Sequence, residues 1–349
     1  RTPSLAGVVI GYRLSRVRVR DGPEGDDMGE RFEEGFAGRV AVVTGGGTGM
    51  GREMVLQLTA DGCDVATCDV IADNLDETVA LASGNAGEVL AVTADVSVEA
   101  QVLAFRDAVA AWRPCVHLLF NNAGIGGGGS IVLDGREEWE KTFGVCWYGV
   151  YYNTRAFMPM LLAAPVGHVI NTSSVNGFWA SLGPGIPHTA YSAAKFAVKG
   201  FTEALITDFR INAPHLRASV VMPGHIGTSI AINSRKLLGA DPKEMTTEQV
   251  AQFRERLSRA GLDVSGASDE DLRVGLQAQG EAFRDNAPTS AAQATKIILD
   301  AVRADRWRVL VGDDAVILDE MVRENPEDAY LPDFMTRVQA RGALRFTEN

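Results

Sequence analysis

The chain has 349 residues, enough for one enlarged domain or about two of ordinary size. With 46% hydrophobic and 22% charged residues it can bury a sizeable core, which excludes wholesale disorder. Thirty-three basic residues against 45 acidic ones give a formal net charge of −12, which argues against nucleic acid or an anionic membrane surface as a main partner, because both reward a basic face.

Cys63, Cys68, Cys115 and Cys146 form no CxxC pair and have no histidine at zinc-like spacing, so reduced thiols in a cytoplasmic setting and no metal are expected. No apolar run approaches the roughly 18 residues of a membrane span. The first twenty residues carry five arginines but lack the apolar core and cleavage pattern of a signal peptide. Residues 1–35 read as a flexible N-terminal extension, of which 1–27 could lie upstream of a natural start at Met28.

From Arg39 short β-branched runs alternate with helical stretches. Strands are expected at 39–44, 63–69, 89–95 and 116–124, with helices at 50–62, 72–82 and 98–112 between them. A long helix follows over 137–162, then a strand at 168–174, a helix at 189–212 and a strand at 217–222. About sixty residues, 228–288, exceed what such a core needs and carry amphipathic patterns at 246–260 and 268–285. They are expected to form a substrate lid or subunit contacts. A helix capped at Thr289/Ser290 leads to a strand at 307–312, and 313–349 reads as a helical tail packing on the core or on a neighbouring subunit. Strands alternating with helices predict an α/β fold: a doubly wound parallel sheet of Rossmann type, one domain over 36–312. Such sheets bind ligands at the carboxyl ends of their strands.

The chemistry-bearing residues fall there. Thr44-Gly45-Gly46-Gly47-Thr48-Gly49-Met50-Gly51 joins the first strand to its helix, where glycines let backbone N–H groups and the helix dipole face a pyrophosphate. Eighteen residues past Gly51 the second strand ends in Asp69, whose carboxylate can accept both ribose hydroxyls and repel a 2′-phosphate, favouring NAD over NADP. Asp95-Val96 follows the third strand, where a carboxylate and an amide suit an adenine edge. Asn121-Asn122-Ala123-Gly124 ends the fourth, with residues small enough for a cofactor to lie flat. Tyr191 and Lys195, spaced i, i+4, share one helix face. An ammonium beside a phenol lowers its pKa from about 10 toward that of a usable general base. Ser173-Ser174 at a strand end can hydrogen-bond the substrate oxygen that Tyr191 protonates or deprotonates.

TGGGTGMG (44–51), NNAG (121–124), SSVNG (173–177), YSAAK (191–195) and PGHIGT (223–228), in this order, resemble the short-chain dehydrogenase/reductase family over about residues 37–312. The resemblance implies hydride transfer to or from a nicotinamide, a small-molecule substrate and a homodimer or homotetramer. It makes Tyr191 the acid/base and has Lys195 lower the tyrosine pKa and hold the nicotinamide ribose, while Ser174 positions the substrate oxygen. Gly45, Gly49 and Gly51, with Thr48 and Met50 between them, would form the pyrophosphate turn. Thr228, after Pro223, Gly224 and Ile226, would meet the nicotinamide carboxamide.

Two departures stand out. The family's fourth catalytic residue is an Asn, and Cys146 occupies that position, which puts in doubt the water that would link Lys195 to solvent. Asn153 is seven residues on. The loop between Gly177 and Tyr191 is also long. Its His188 reads as a surface residue more than a substrate contact, while Phe178 and Trp179 are candidates to line an apolar pocket. The leading reading is an NAD-dependent secondary-alcohol dehydrogenase for a bulky apolar substrate. A dinucleotide-binding sensor or scaffold that has lost turnover, and an epimerase or dehydratase on the same fold, are the alternatives.

Overall fold

The computed structural model describes residues 32–182, 186–259 and 261–344. The first half runs β1 (Val40–Thr44), α1 (Gly49–Ala60), β2 (Asp64–Asp69), α2 (Ala72–Leu81), β3 (Val89–Thr93), α3 (Glu99–Trp112) and β4 (Leu118–Asn121). The second half of the core comprises α4 (Arg136–Phe143), α5 (Gly149–Leu162), β5 (Gly167–Thr172), α6 (Thr189–Asn212) and β6 (Leu216–Pro223). After β7 (Ile226–Gly227) come the lid helices α7 (Ile230–Leu237), α8 (Thr247–Arg259) and α9 (Asp269–Asp285). The chain then returns through β8 (Thr289–Ser290), α10 (Ala291–Arg303) and β9 (Arg308–Val311) to the tail helices α11 (Asp313–Glu324) and α12 (Phe334–Ala340).

Seven parallel strands lie in the order β3-β2-β1-β4-β5-β6-β9. This is the single-domain α/β sheet that the alternation of strands and helices predicts. Both of its faces are buried, so β1 and β4 at its centre are near-continuous apolar runs that do not alternate with polar residues. In β1, Ala41 and Val43 pack on α1 and α10, while Val40 and Val42 pack on the α3, α5 and α6 side. The strand order reverses between β1 and β4, and a crevice opens at their carboxyl ends.

Three features differ from the sequence expectations. The helix expected over 137–162 is interrupted by a π-helical segment, Gly144–Tyr148, in which Gly149 N–H bonds Gly144 O, five residues back. That extra residue per turn rotates the following helix and centres the irregularity on Cys146. Phe32, inside the stretch expected as an extension, is 3% exposed and belongs to the core beside Phe36; residues 1–31 of that stretch lie outside the described residues. Trp179, expected to line a pocket, is 2% exposed and donates its indole N–H to Ala329 O at 2.7 Å. Trp179, with Phe178 against the same cluster, anchors the tail helices α11 and α12 over the segment that follows Ser174.

The lid has a small core of its own, Met245, Val250, Leu272 and Leu276. A capping box at Ser268 starts α9, and Arg254 binds Val264 O, Ala267 O and Asp269 to fix the α8–α9 turn. Among the described residues no helix is long and apolar enough to cross a membrane, and no cluster of His, Cys, Asp and Glu could hold a metal.

Candidate active site

The glycine turn is built by close approach. Gly45, at φ +71°, gives its N–H to Cys68 O at 2.7 Å, and a Cβ there would lie 2.8 Å from Ala123 Cα. On Gly51 a Cβ would fall 2.0 Å from Gly45 O. Thr44 ties β1 to β4: its hydroxyl oxygen accepts from Asn122 N and Ala123 N at 3.0 Å each, and Asn122 Nδ2 donates to Thr44 O. The turn and the NNAG segment therefore form one rigid wall.

In front of that wall lies a cleft of about 220 Å³. It is lined by Gly45, Thr48, Gly49 and Met50 from the turn, Asp69 from β2, Asp95 and Val96 after β3, and Asn122, Ala123 and Gly124 after β4. Thr228 closes it from the lid side and packs where a Gly49 Cβ would sit, 3.1 Å away. Asp69 receives Gly47 N–H at 3.0 Å and Ile71 N–H at 3.1 Å, which aims its carboxylate along the cleft rim. Asp95 is held by Ser97 through both N–H and hydroxyl.

Six residues expected to touch a cofactor do not line the cleft: Tyr191 and Lys195 stand at its inner end, and the other four lie elsewhere. Gly51 lies behind Gly45, Pro223 ends β6, and Ile226 is buried in the β7–β8 ladder. Gly224 gives its N–H to Val311 O and admits the Asp314 carboxylate, whose oxygen stands 2.3 Å from the place a Cβ would take. Conversely, Lys141 and Val145 of the helix before Cys146, and Asn233 and Leu237 of α7, line the cleft and were missed. Helix α7 is only eight residues long and half polar, a weak periodic signal.

At the inner end of the site α6 brings Tyr191 and Lys195 onto one face, and Ser173 Oγ–H pins that helix by donating to Lys195 O at 2.7 Å. Lys195 is 2% exposed, with its ammonium on Thr172 O at 2.8 Å and 5.3 Å from the Tyr191 ring centre. A Cβ on Gly124 would lie 3.5 Å from Lys195 Nζ and 3.8 Å from Cys146 Sγ, so this glycine floor joins the cleft to the Tyr–Lys pair. Ser174 Oγ accepts Asn176 N–H at 3.1 Å and faces the same pair.

The electrostatics differ from the expectation that Lys195 lowers the Tyr191 pKa. Burial pushes the Tyr191 phenol well above its usual range and the proximity of Cys146 adds to this, while the Ser174 hydroxyl works in the opposite direction. Burial likewise pushes the Lys195 ammonium down. In the protein alone both groups lean toward neutral forms. Cys146 is buried and its thiol donates to Ile125 O at 3.2 Å. The thiol hydrogen is thus directed at the backbone and not at Lys195. His188 is half-buried and not on the open surface: its ring meets Tyr191 edge-on at 4.7 Å, its Nε2 is buried without a hydrogen-bond partner among the described residues, and burial lowers its pKa to about 4.

Comparison with known proteins agrees with this geometry. The short chain dehydrogenase family matches residues 39–238. A Mycobacterium tuberculosis protein named SadH is 34% identical over 82% of this chain and 91% of its own length. Levodione reductase of Leifsonia aquatica is 31% identical over 62% of this chain and 80% of its own. A short-chain dehydrogenase/reductase from Burkholderia phymatum, solved in complex with NAD, superposes with a TM-score of 0.65 at 30% identity, covering 85% of this chain and 95% of that one. With the parallel sheet, the glycine turn and the Tyr191–Lys195 helix all in place, the chain belongs to the short-chain dehydrogenase/reductase family of oxidoreductases.

Proposed function

We propose that the protein interconverts a bulky, apolar secondary alcohol and its ketone with NAD, using Tyr191 as acid and base. The observation that carries this reading is the single glycine floor, Gly124, shared by the dinucleotide-shaped cleft and the buried Lys195 beside Tyr191. The residues present fit the cofactor: the glycines let the turn pack directly against Ala123 and Asn122, and the turn lines one cleft together with Asp69. When bound, the oxidised nicotinamide supplies the hydride acceptor and a formal positive charge. Tyr191 then removes the alcohol hydroxyl proton as the carbon loses hydride, and it returns that proton in the reverse direction. Ser174 donates to the substrate oxygen, and Lys195, fixed on Thr172 O, stabilises the phenolate that forms.

NAD preference follows from charge. Asp69 would face a 2′-phosphate with a carboxylate, and Arg52, beside it on Gly47 O, is already occupied by that carbonyl and by Glu77 at 2.6 Å. Asp69→Ala should weaken NAD binding by about tenfold, roughly 1.4 kcal/mol, while leaving NADP binding less affected or improved. Equal losses for both in fluorescence titrations would remove the basis for this preference.

The self-supporting lid, together with the exposed Ile131, Val132 and Leu133 on the loop after β4, supports a large apolar substrate. A relative named levodione reductase supports chemistry at a carbonyl. Exposed Tyr148, Tyr151 and Phe196 on α5, its π-helical lead-in and α6 support a homo-oligomer, so light scattering should give at least a dimer mass. Four free cysteines suit a reducing, cytoplasmic compartment. The direct test is NADH formation from a panel of bulky secondary alcohols, in parallel with NADP. Dinucleotide binding with no turnover on any alcohol would favour the sensor reading, which the Cys146–Ile125 bond supports.

A further inference from the structure

Helix α7 spans the mouth of the cleft and is fastened on both sides. Asn233 Nδ2 donates to Thr48 Oγ1 of the glycine turn at 3.2 Å, and one helical turn later Leu237 O receives the ammonium of Lys141 from α4. Ser234 Oγ, between them, accepts Gly126 N–H at 2.8 Å. Charge inside this enclosure is lopsided. Asp69 and Asp95 both line the cleft, and among the described lining residues Lys141 alone is a cation. Arg52 is spent on Gly47 O and Glu77, and Lys195 lies beneath Gly124 on Thr172 O.

A dinucleotide brings a diphosphate with two negative charges into this space. The turn offers it backbone N–H groups and a helix dipole, which together amount to about half a charge. We propose that Lys141 is the missing counter-charge: its ammonium pairs with the diphosphate while holding Leu237 O, so that cofactor retention and closure of α7 are one event. An ammonium has three donors, and the Leu237 bond takes one of them. Thr48 and Asn233 complete the clasp from the opposite wall. This assignment rests on the dinucleotide reading of the cleft and adds to it a residue on a helix that carries no recognised cofactor motif.

The test uses NADH as the probe and needs no substrate. NADH fluorescence titrations of the full chain at low and high salt would be compared for wild type, Lys141→Met and Lys141→Arg, with release rates from stopped-flow displacement. Lys141→Met keeps the length and apolar stem but not the charge. It should raise the Kd about fivefold, chiefly through faster release, and flatten the salt dependence, with Lys141→Arg restoring most of both. Asn233→Ala should speed release yet keep the wild-type salt slope, because it loosens α7 without removing charge. Lys141→Met with wild-type affinity and salt slope would overturn the clasp and leave the dinucleotide reading standing. Wild-type protein that binds neither NADH nor NADPH would overturn both.

Discussion

Tyr191→Phe should lose at least about 10³-fold in turnover, some 4 kcal/mol of transition-state stabilisation, while binding NADH within about twofold of wild type. The substitution removes only the hydroxyl. The ring would keep its edge-on contact with His188 and its place above Lys195, so α6 and the glycine floor should not move. The chemical step has no comparable substitute for the lost group: Cys146 is committed to Ile125 O and Lys195 to Thr172 O. The wild-type pH profile carries the same information with a definite sign. Burial holds the phenol above its usual pKa, so at neutral pH the base form is scarce and alcohol oxidation should rise by about tenfold per pH unit until the working pKa is reached. Ketone reduction uses the protonated phenol and should stay flat over the same range. Turnover of Tyr191→Phe within about tenfold of wild type would move the proton transfer to another group, and His188 would be the first to replace.

The sheet was legible because buried parallel strands write themselves as β-branched runs, and the helices between them as apolar periods. Helix α6 matches its expected limits of 189 and 212, and the lid patterns at 246–260 and 268–285 become α8 and α9 with ends shifted by one residue. What escaped depends on partners distant in sequence or on register. The π-helical segment leaves an apolar run apolar, so inserting one residue per turn around Cys146 changes no residue type. Trp179 suits a pocket wall or a packing contact equally well until Ala329 and Phe334, some 150 residues on, are placed against it. For the site, spacing alone puts Tyr191 and Lys195 on one face. Whether cation or burial then controls the phenol is a question of depth, and depth belongs to the folded chain.

The second large effect is expected at a residue that does not line the cleft. Gly51 sits in the first turn of α1, where replacing glycine by alanine ordinarily favours a helix by about 1 kcal/mol. Here the new Cβ would meet Gly45 O at 2.0 Å and Asn122 Nδ2 at 2.7 Å. Neither neighbour can retreat: Gly45 is held by Cys68 O on one side and stopped by Ala123 on the other, and Asn122 is bonded to Thr44. The collision is with backbone, so the glycine turn itself must open. Gly51→Ala should therefore destabilise the fold by about 2 kcal/mol or more, against the helix-propensity gain, and weaken NADH binding at least about 100-fold. Gly200→Ala is the control. It lies mid-helix in α6 with nothing within 4 Å of the added carbon, and it should stabilise by about 0.5–1 kcal/mol with NADH affinity unchanged. Thermal melts and NADH titrations on the pair separate sterics from propensity. If Gly51→Ala melts and binds like Gly200→Ala, the turn yields to a methyl group, and close backbone approach is not what shapes the cleft.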